Sequence, residues 1–376
     1  MGQAEKVDVI VVGAGPAGCA AAWDLASAGR SVLLLDRAEF PRHKACAGGL
    51  TRKSLLALRY SVAPVTRQTI SAIVVEKRRG EAATLSSRSQ VCAMTVRSEL
   101  DEFCLRQTIA AGARFQRIGP IEALESASGS VTLRTAAGTF SASFLVAADG
   151  VHSRIRQLLC GDRPPWFRRG FAIEADVRLP GGQSSDLVFD FAPVRQGYGW
   201  VFPKGDHLNC GLYSEAPEQK LNRESLFAWI QARFPGAQVD HLTGQYLGFG
   251  AERALPESGR VFLVGDAGGF ADPLTGEGIY GAIVSGQAAA AAIQRDLSVG
   301  EPAQLAFPRL TAQLRQDLGF SASGARWFYG NLDLGFRALA APIFRGAVIN
   351  AYANGTRIAA LANAIRRFAR LFPTSA

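Results

Sequence analysis

"VDVIVVGAGPAGCAAAWDLASAGRSVLLLD", Val7 to Asp36, decides the fold. Val7 to Val12 reads as a buried strand, Gly13-Ala14-Gly15-Pro16-Ala17-Gly18 leads into a helix over Ala17 to Ala28, and Ser31 to Leu35 gives a second strand that Asp36 closes. This is a βαβ unit. Gly13 makes the tight turn, Gly15 lets the backbone approach a pyrophosphate at the helix N-terminus, and Gly18 lets helix and strand pack closely. Asp36 sits at the spacing for a carboxylate on an adenosine ribose, so the unit reads as a dinucleotide site. With Arg37 following it, FAD and NAD(P) both stay open.

Two later segments decide the cofactor. Phe144 to Ala148 forms a strand that ends in Asp149-Gly150, and a helix begins over Val151 to Arg154. In "VFLVGDAGGFADPLTGEGIYGAI", Val261 to Ile283, a strand delivers Gly265-Asp266 to a turn, and a glycine-rich loop starts a long small-residue helix near Gly278. Asp266 can bind a ribitol hydroxyl, and bare backbone at Gly276 to Gly278 can lie against a flavin pyrimidine edge. A helix N-terminus there favours negative charge on a reduced flavin by about 0.3–2 kcal/mol. A nicotinamide needs no such third segment.

The rest of the chain sets bounds. At 376 residues and 48% hydrophobic it can bury a large core split into two or three domains. Val9 to Val12 is too short for a signal segment, and no later run reaches the length of a membrane span, so a cytoplasmic location is expected. Six cysteines without a CxxC pair fit free thiols, and four histidines offer no metal-ligand spacing. From Glu301 onward, nine arginines face three acids and carry six of the nine net positive charges. These basic residues alternate with Leu, Ile, Phe and Ala and form no nucleic-acid motif. The reading is a helical region with a basic face, and a peripheral membrane surface is its expected partner.

Three further stretches, "PRHKACAGGL" after the second strand, "GYGWVFPKGDHLNCGL" from Gly197 to Leu212 and "DPLTGEGIYGA" from Asp272 to Ala282, resemble the geranylgeranyl reductase family. That family lies within the flavoprotein class of para-hydroxybenzoate hydroxylase and saturates isoprenoid double bonds with FAD. The likeness runs from Val7 to about Gln294. One departure is Ala47, which separates Cys46 from the Gly48-Gly49 pair. The resemblance implies an α/β chain, α+β overall: a Rossmann-like FAD-binding domain (1–70, 95–165 and 255–300), an inserted antiparallel-sheet substrate domain (71–94 and 166–254), and a helical C-terminal region (301–376).

It also implies roles. Cofactor contacts are expected from Gly13, Gly15, Pro16, Ala17, Gly18, Asp36, Arg37, Arg42, Ala47, Gly48, Arg97, Asp149, Gly265, Asp266, Pro273, Gly276, Glu277, Gly278 and Ile279. Arg97 opens a helical pattern with Leu100, Phe103, Cys104 and Ile109, and its fork suits phosphate or a flavin carbonyl. Phe171–Arg178, Leu187–Ala192, Tyr198–Lys204 and Leu208–Ser214 read as an antiparallel sheet, with Tyr198, Trp200 and Phe202 on one face. These three, with Gly49 and Pro203, are expected to line an apolar pocket, where burial yields about 25 cal/mol per Å². Hydride transfer to an unpolarised alkene needs a proton donor, for which Cys46 and Tyr198 are the candidates, with reduced flavin or water as rivals. Electrons come from NAD(P)H, or from a ferredoxin or flavodoxin as protein partner. A flavin-dependent monooxygenase or halogenase is the alternative, but Lys44, Lys53 and Lys77 stand in no context that matches a halogenase lysine. A lipid-bound flavoprotein without turnover is the third reading.

Overall fold

A computed structural model describes residues 6–78, 80–127, 129–161, 164–216, 218–256 and 259–354. Its first sheet is built on the opening βαβ unit. Strand Lys6–Val12 lies between Val32–Asp36 and Gly138–Ala147, parallel to both, with Val9 opposite Val32 on one side and Phe144 on the other. Arg114–Arg117 extends one edge, and the antiparallel strands Val131–Thr135 and Ile121–Ser126 extend the other. Val261–Leu263 pairs parallel to Gly138–Ala147. The chain therefore leaves the first strand toward opposite sides, and the carboxyl ends there open the crevice where such sheets bind ligands.

Small residues make the helix layer tight. Helix Ile279–Val299 lies against helix Pro16–Ser27, and a Cβ at Gly286 would stand 2.2 Å from the Ala17 carbonyl oxygen. Alanines 20, 21, 22, 289, 290 and 292 fill this seam. In helix Arg97–Ala110, Leu100 and Cys104 are buried, whereas Ile109 is exposed, contrary to the face its spacing suggests.

The second sheet runs Gln238–Phe249, Arg168–Arg178, Leu208–Ser214, Gly197–Pro203, Leu187–Asp190, Ala72–Arg78, Glu81–Ser86. It is mixed rather than antiparallel throughout, because Leu187–Asp190 pairs parallel to Ala72–Arg78, with Leu187 opposite Ile73. One face packs Val177, Val201 and Leu212 against Leu226 and Ile230 of helix Arg223–Arg233. Asn222 starts that helix by accepting from the Ser225 amide at 2.9 Å. The other face is aromatic. A small third sheet, Gly49–Thr51, Cys92–Thr95 and Thr66–Ile70, holds the loop that precedes it.

Helices Ala303–Leu310, Ala312–Gly330, Leu332–Ala340 and Pro342–Ala353 follow. Phe336 and Ile349 are buried against Ile73, Val75, Leu85 and Leu187, with Leu339 beside them. Phe336, Leu339 and Ile349 of the tail therefore face the protein rather than a surface. Arg357, Arg366, Arg367 and Arg370, with Leu361, Ile365, Phe368 and Leu371, lie outside the described residues. Among the described residues, no helix is long and apolar enough to cross a membrane, and no group of His, Cys, Asp and Glu could hold a metal ion.

Candidate active site

A cavity of about 900 Å³ runs from the carboxyl ends of the first sheet to the aromatic face of the second. At its first end, backbone geometry dominates. Gly13 has φ +102°, and a Cβ there would stand 2.3 Å from the Ala148 carbonyl oxygen. Gly15 is the opposite case: the nearest atom to an added Cβ is Arg42 Nη2 at 3.6 Å, so its backbone borders open space. A Cβ at Gly18 would meet the Gly13 carbonyl oxygen at 1.7 Å, and Gly18 supports the turn from behind without lining the cavity. Asp36 accepts from the amides of Ala14 at 2.7 Å and Ala38 at 2.8 Å, which fixes its carboxylate at the cavity wall.

Two more carboxylates arrive from the flanking strand ends. Asp149 Oδ2 accepts from the amides of Arg154 at 2.8 Å and Ile155 at 3.3 Å, while Oδ1 is buried without a partner. Burial pushes the carboxyls of Asp149 and Asp266 up from their ordinary values. Pro16, Ala17, Arg37, Gly265, Gly276, Gly278 and Ile279 also line the cavity; Pro273 and Pro203 do not. Arg97 lines it as well, but its fork is engaged by Asp101, Nε to Oδ1 at 3.0 Å and Nη2 to Oδ2 at 2.8 Å. Arg42 reaches the same carboxylate at 3.0 Å, so this buried acid organises two cations. Glu277 is similarly committed: it accepts from Thr51 Oγ1 at 2.7 Å and Ser54 Oγ at 2.9 Å and pairs with Lys53 at 2.8 Å. Glu277 also lines the cavity, and its carboxylate ties the glycine-rich loop to Thr51, Lys53 and Ser54.

The loop Arg42–Leu50 crosses the middle of the cavity. The Cys46 amide donates to Glu174 Oε1 at 2.8 Å, and its sulfur accepts from the Gly48 amide at 3.4 Å. Lys204 Nζ donates to the carbonyls of Ala47 and, at 2.9 Å, Thr95. Thr95 in turn donates to the Gly48 carbonyl from its amide at 2.9 Å and its hydroxyl at 2.8 Å. Gly48, at φ +61°, leaves no room for a side chain, since a Cβ would stand 2.2 Å from the Thr95 carbonyl. Burial raises Glu174 to about 7 and lowers Lys204 to about 8. Neither residue was marked by the sequence. The only signal was an acid between buried Ile173 and Ala175 on a strand, and a lysine directly after the Phe202-Pro203 pair.

Beyond the loop, Tyr198, Trp200 and Phe202 do share one face, and Phe189, Tyr213 and Leu247 join them. Trp200 is seated by glycine: a Cβ at Gly211, its cross-strand neighbour, would stand 2.1 Å from the indole. Its Nε1 donates to Asn209 Oδ1 at 2.8 Å. Phe202 lies edge-on to Phe189 at 5.5 Å and would touch a Cβ at Gly49 at 2.8 Å. The Tyr198 hydroxyl donates to the Thr275 carbonyl, and burial raises its pKa.

Residues 6–165 match an FAD binding domain model. A digeranylgeranylglycerophospholipid reductase of Methanocella arvoryzae is 30% identical over 335 residues, covering 84% of each chain. The chain belongs to the geranylgeranyl reductase family. This geranylgeranyl reductase-like protein is thus an FAD-dependent oxidoreductase. Among solved structures, a geranylgeranyl bacteriochlorophyll reductase-like protein of Thermoplasma acidophilum superposes with TM-score 0.81 at 21% identity, over 96% of this chain and 99% of that one. A flavin-dependent brominase shares the fold at TM-score 0.74 and 18% identity, over 97% of this chain and 100% of that one.

The cavity of this family member fits FAD on its own terms. Gly15 leaves bare backbone at a helix N-terminus for a pyrophosphate, and Asp36 stands at the neighbouring strand end for a ribose. The orphaned Oδ1 of Asp149 wants a donor such as a ligand hydroxyl. Gly276 and Gly278, ahead of helix Ile279–Val299, offer backbone to a flat ring.

Proposed function

We propose that the protein saturates carbon–carbon double bonds of an isoprenoid lipid, using FAD. The observation that supports this reading is the aromatic chamber of Phe189, Tyr198, Trp200, Phe202 and Tyr213, which opens on the Cys46–Gly49 loop opposite the glycine-rich cradle. An aliphatic chain gains about 25 cal/mol per Å² there and meets few polar groups. Reduced FAD, when bound, supplies hydride for one alkene carbon. Cys46 delivers the proton to the other: its S–H bond breaks as the new C–H bond forms. The thiolate left behind lies within reach of the Arg97 guanidinium and in the field of Lys204. Tyr198 serves as wall, because its hydroxyl is committed to Thr275 and its raised pKa makes it a poorer acid. Cofactor contacts fall to Gly13, Gly15, Asp36, Asp149, Asp266, Gly276 and Gly278.

Anaerobic incubation of chemically reduced enzyme with a geranylgeranyl lipid tests the reading. The expected product is heavier by one H₂ per double bond, without halide. If no saturated product forms, and aerobic turnover with halide yields a halogenated one, the oxygen chemistry of the alternative stands instead. Adding NAD(P)H or reduced ferredoxin or flavodoxin in turn, and following flavin bleaching, assigns the electron donor.

A further inference from the structure

Between Cys46 and Gly48 the Cys46 amide, the Ala47 carbonyl and both polar groups of the Gly48 backbone are held, and two of the holders are buried charges from the second sheet. Glu174 is 5% exposed and Lys204 is 3% exposed. Glu174 lies in strand Arg168–Arg178 and Lys204 directly follows strand Gly197–Pro203, on opposite sides of Leu208–Ser214. One accepts the Cys46 amide; the other donates to the Ala47 carbonyl. No hydrogen bond or ion pair among the described residues joins the two charges directly, so they are not a structural ion pair that the loop merely overlies. A buried carboxylate or ammonium costs several kcal/mol unless it is well bonded, and apolar residues would hold the loop more cheaply. We propose that Glu174 and Lys204 form a charged clamp that positions Cys46 for proton transfer, and that the clamp is fully engaged only while the first is ionised and the second protonated.

This proposal rests on the proton-donor reading of Cys46. The groups facing Glu174 are the Cys46 amide, Asn209, Lys204 and Asp176. Those facing Lys204 are the carbonyls of Ala47 and Thr95, the thiols of Cys46 and Cys92, and the carboxylates of Glu174 and Asp176. Asn209 links Glu174 to Trp200, so the clamp also registers the loop against the chamber wall. A hydrogen bond to an ionised group is about twice as strong as a neutral one. Below about pH 7 Glu174 loses that advantage, and above about pH 8 Lys204 does. The single-turnover rate of alkene saturation should therefore be bell-shaped, with limbs near those values.

Glu174→Gln keeps one acceptor oxygen but cannot titrate, so its acid limb should vanish; Lys204→Met should lose the alkaline limb. Glu174→Ala should slow saturation about tenfold further than Glu174→Gln. A second readout does not use turnover: peptide-resolved alkylation of Cys46 by iodoacetamide on FAD-loaded protein, expected to run severalfold faster in Glu174→Ala as the loop loosens. Wild-type limbs in Glu174→Gln, together with wild-type alkylation in Glu174→Ala, overturn the clamp. If Cys46→Ser saturates alkenes at the wild-type rate while alkylation still responds to Glu174→Ala, the clamp stands and the proton-donor reading falls.

Discussion

The two ends of the cavity are built on different principles. At the cradle, shape comes from what is missing: Gly13 and Gly18 contact backbone so closely that a single methyl group would collide, and Gly15 leaves bare space. At the chamber, shape comes from what is present, aromatic rings and buried charges that meet from strands far apart in sequence. The turn at the heart of the cradle is thus written in six consecutive residues packed on the Ala148 strand end, whereas the chamber is a property of the sheet. Substitutions at the first should act on folding and cofactor retention together; those at the second should act on chemistry with FAD still bound.

The largest expected effect lies at the cradle. Gly18→Ala puts a Cβ 1.7 Å from the Gly13 carbonyl oxygen, and backbone cannot yield as a flexible side chain would. The variant should purify without flavin, read from the absorbance of the heat-released supernatant, and should melt well below wild type. Gly29→Ala is the contrast, because its φ is +77° but an added Cβ meets nothing within 4 Å. It should cost about 1–2 kcal/mol and keep its FAD. Equal flavin loss in both would mean that close approach does not govern the cradle.

Next in size is Cys46→Ala, which should retain flavin and slow single-turnover saturation by about 10²–10⁴-fold, the usual contribution of a general acid. Unchanged turnover would make the thiol a small filler on the loop. Flavin loss would instead place Cys46 with the cradle and blur the division between the two ends.

What could be read in advance follows the same division. Gly13, Gly15, Gly18 and Asp36 announce themselves because a βαβ turn has one short pattern, and Gly265-Asp266 repeats its strand-end logic. The aromatic stripe Tyr198, Trp200 and Phe202 was legible from period-two alternation. Glu174 was not: it is 128 residues from the amide it holds, and an isolated acid in a strand looks like any solvated one. The direction of Arg97 was hidden likewise, since its helix shows Asp101 four residues on but not that both are buried. Parallel pairing of Leu187–Asp190 with Ala72–Arg78 could not be seen either, because alternation marks a strand without naming its neighbour.

A smaller effect sharpens the contrast through stability. Glu174 sits at about 7, above the ordinary glutamate value of about 4.3, so the fold favours its protonated form. That contribution is complete below about pH 4 and is lost as pH rises through 7. At about 1.4 kcal/mol per unit, the ionised carboxylate costs the fold at most roughly 4 kcal/mol at pH 8, an upper figure for a group with hydrogen-bonding partners. Glu174→Gln should accordingly raise Tm at pH 8 and change it little at pH 4. Stability gained together with turnover lost is the pattern of a residue retained for chemistry. A Tm difference independent of pH would show that the carboxylate is not the source.

The smallest expected effect concerns the exterior. Phe336 and Ile349 turn inward against the second sheet, while Arg326, Trp327, Leu334 and Arg337 are among the outward residues of helices Ala312–Gly330 and Leu332–Ala340; Trp327 is 50% exposed and Leu334 55%. Two cations and two apolar side chains on adjacent helices suit an anionic lipid surface, at about 1 kcal/mol for each basic residue near it. Asp333, exposed on the same helix as Leu334 and Arg337, pairs with Lys77, which offsets its negative charge. Binding should therefore be weak, with the described residues supplying about 2 kcal/mol of electrostatic attraction. Co-sedimentation with vesicles of graded anionic lipid should rise with lipid charge and fall with salt, because the Debye length shortens from about 10 Å at 0.1 M to about 3 Å at 1 M. Arg326→Ser with Arg337→Ser should halve the slope against lipid charge or more, while Trp327→Ser should lower binding at every charge. If sedimentation ignores both charge and salt, these arginines are an ordinary solvated face, and an isoprenoid must reach the chamber from solution or a carrier.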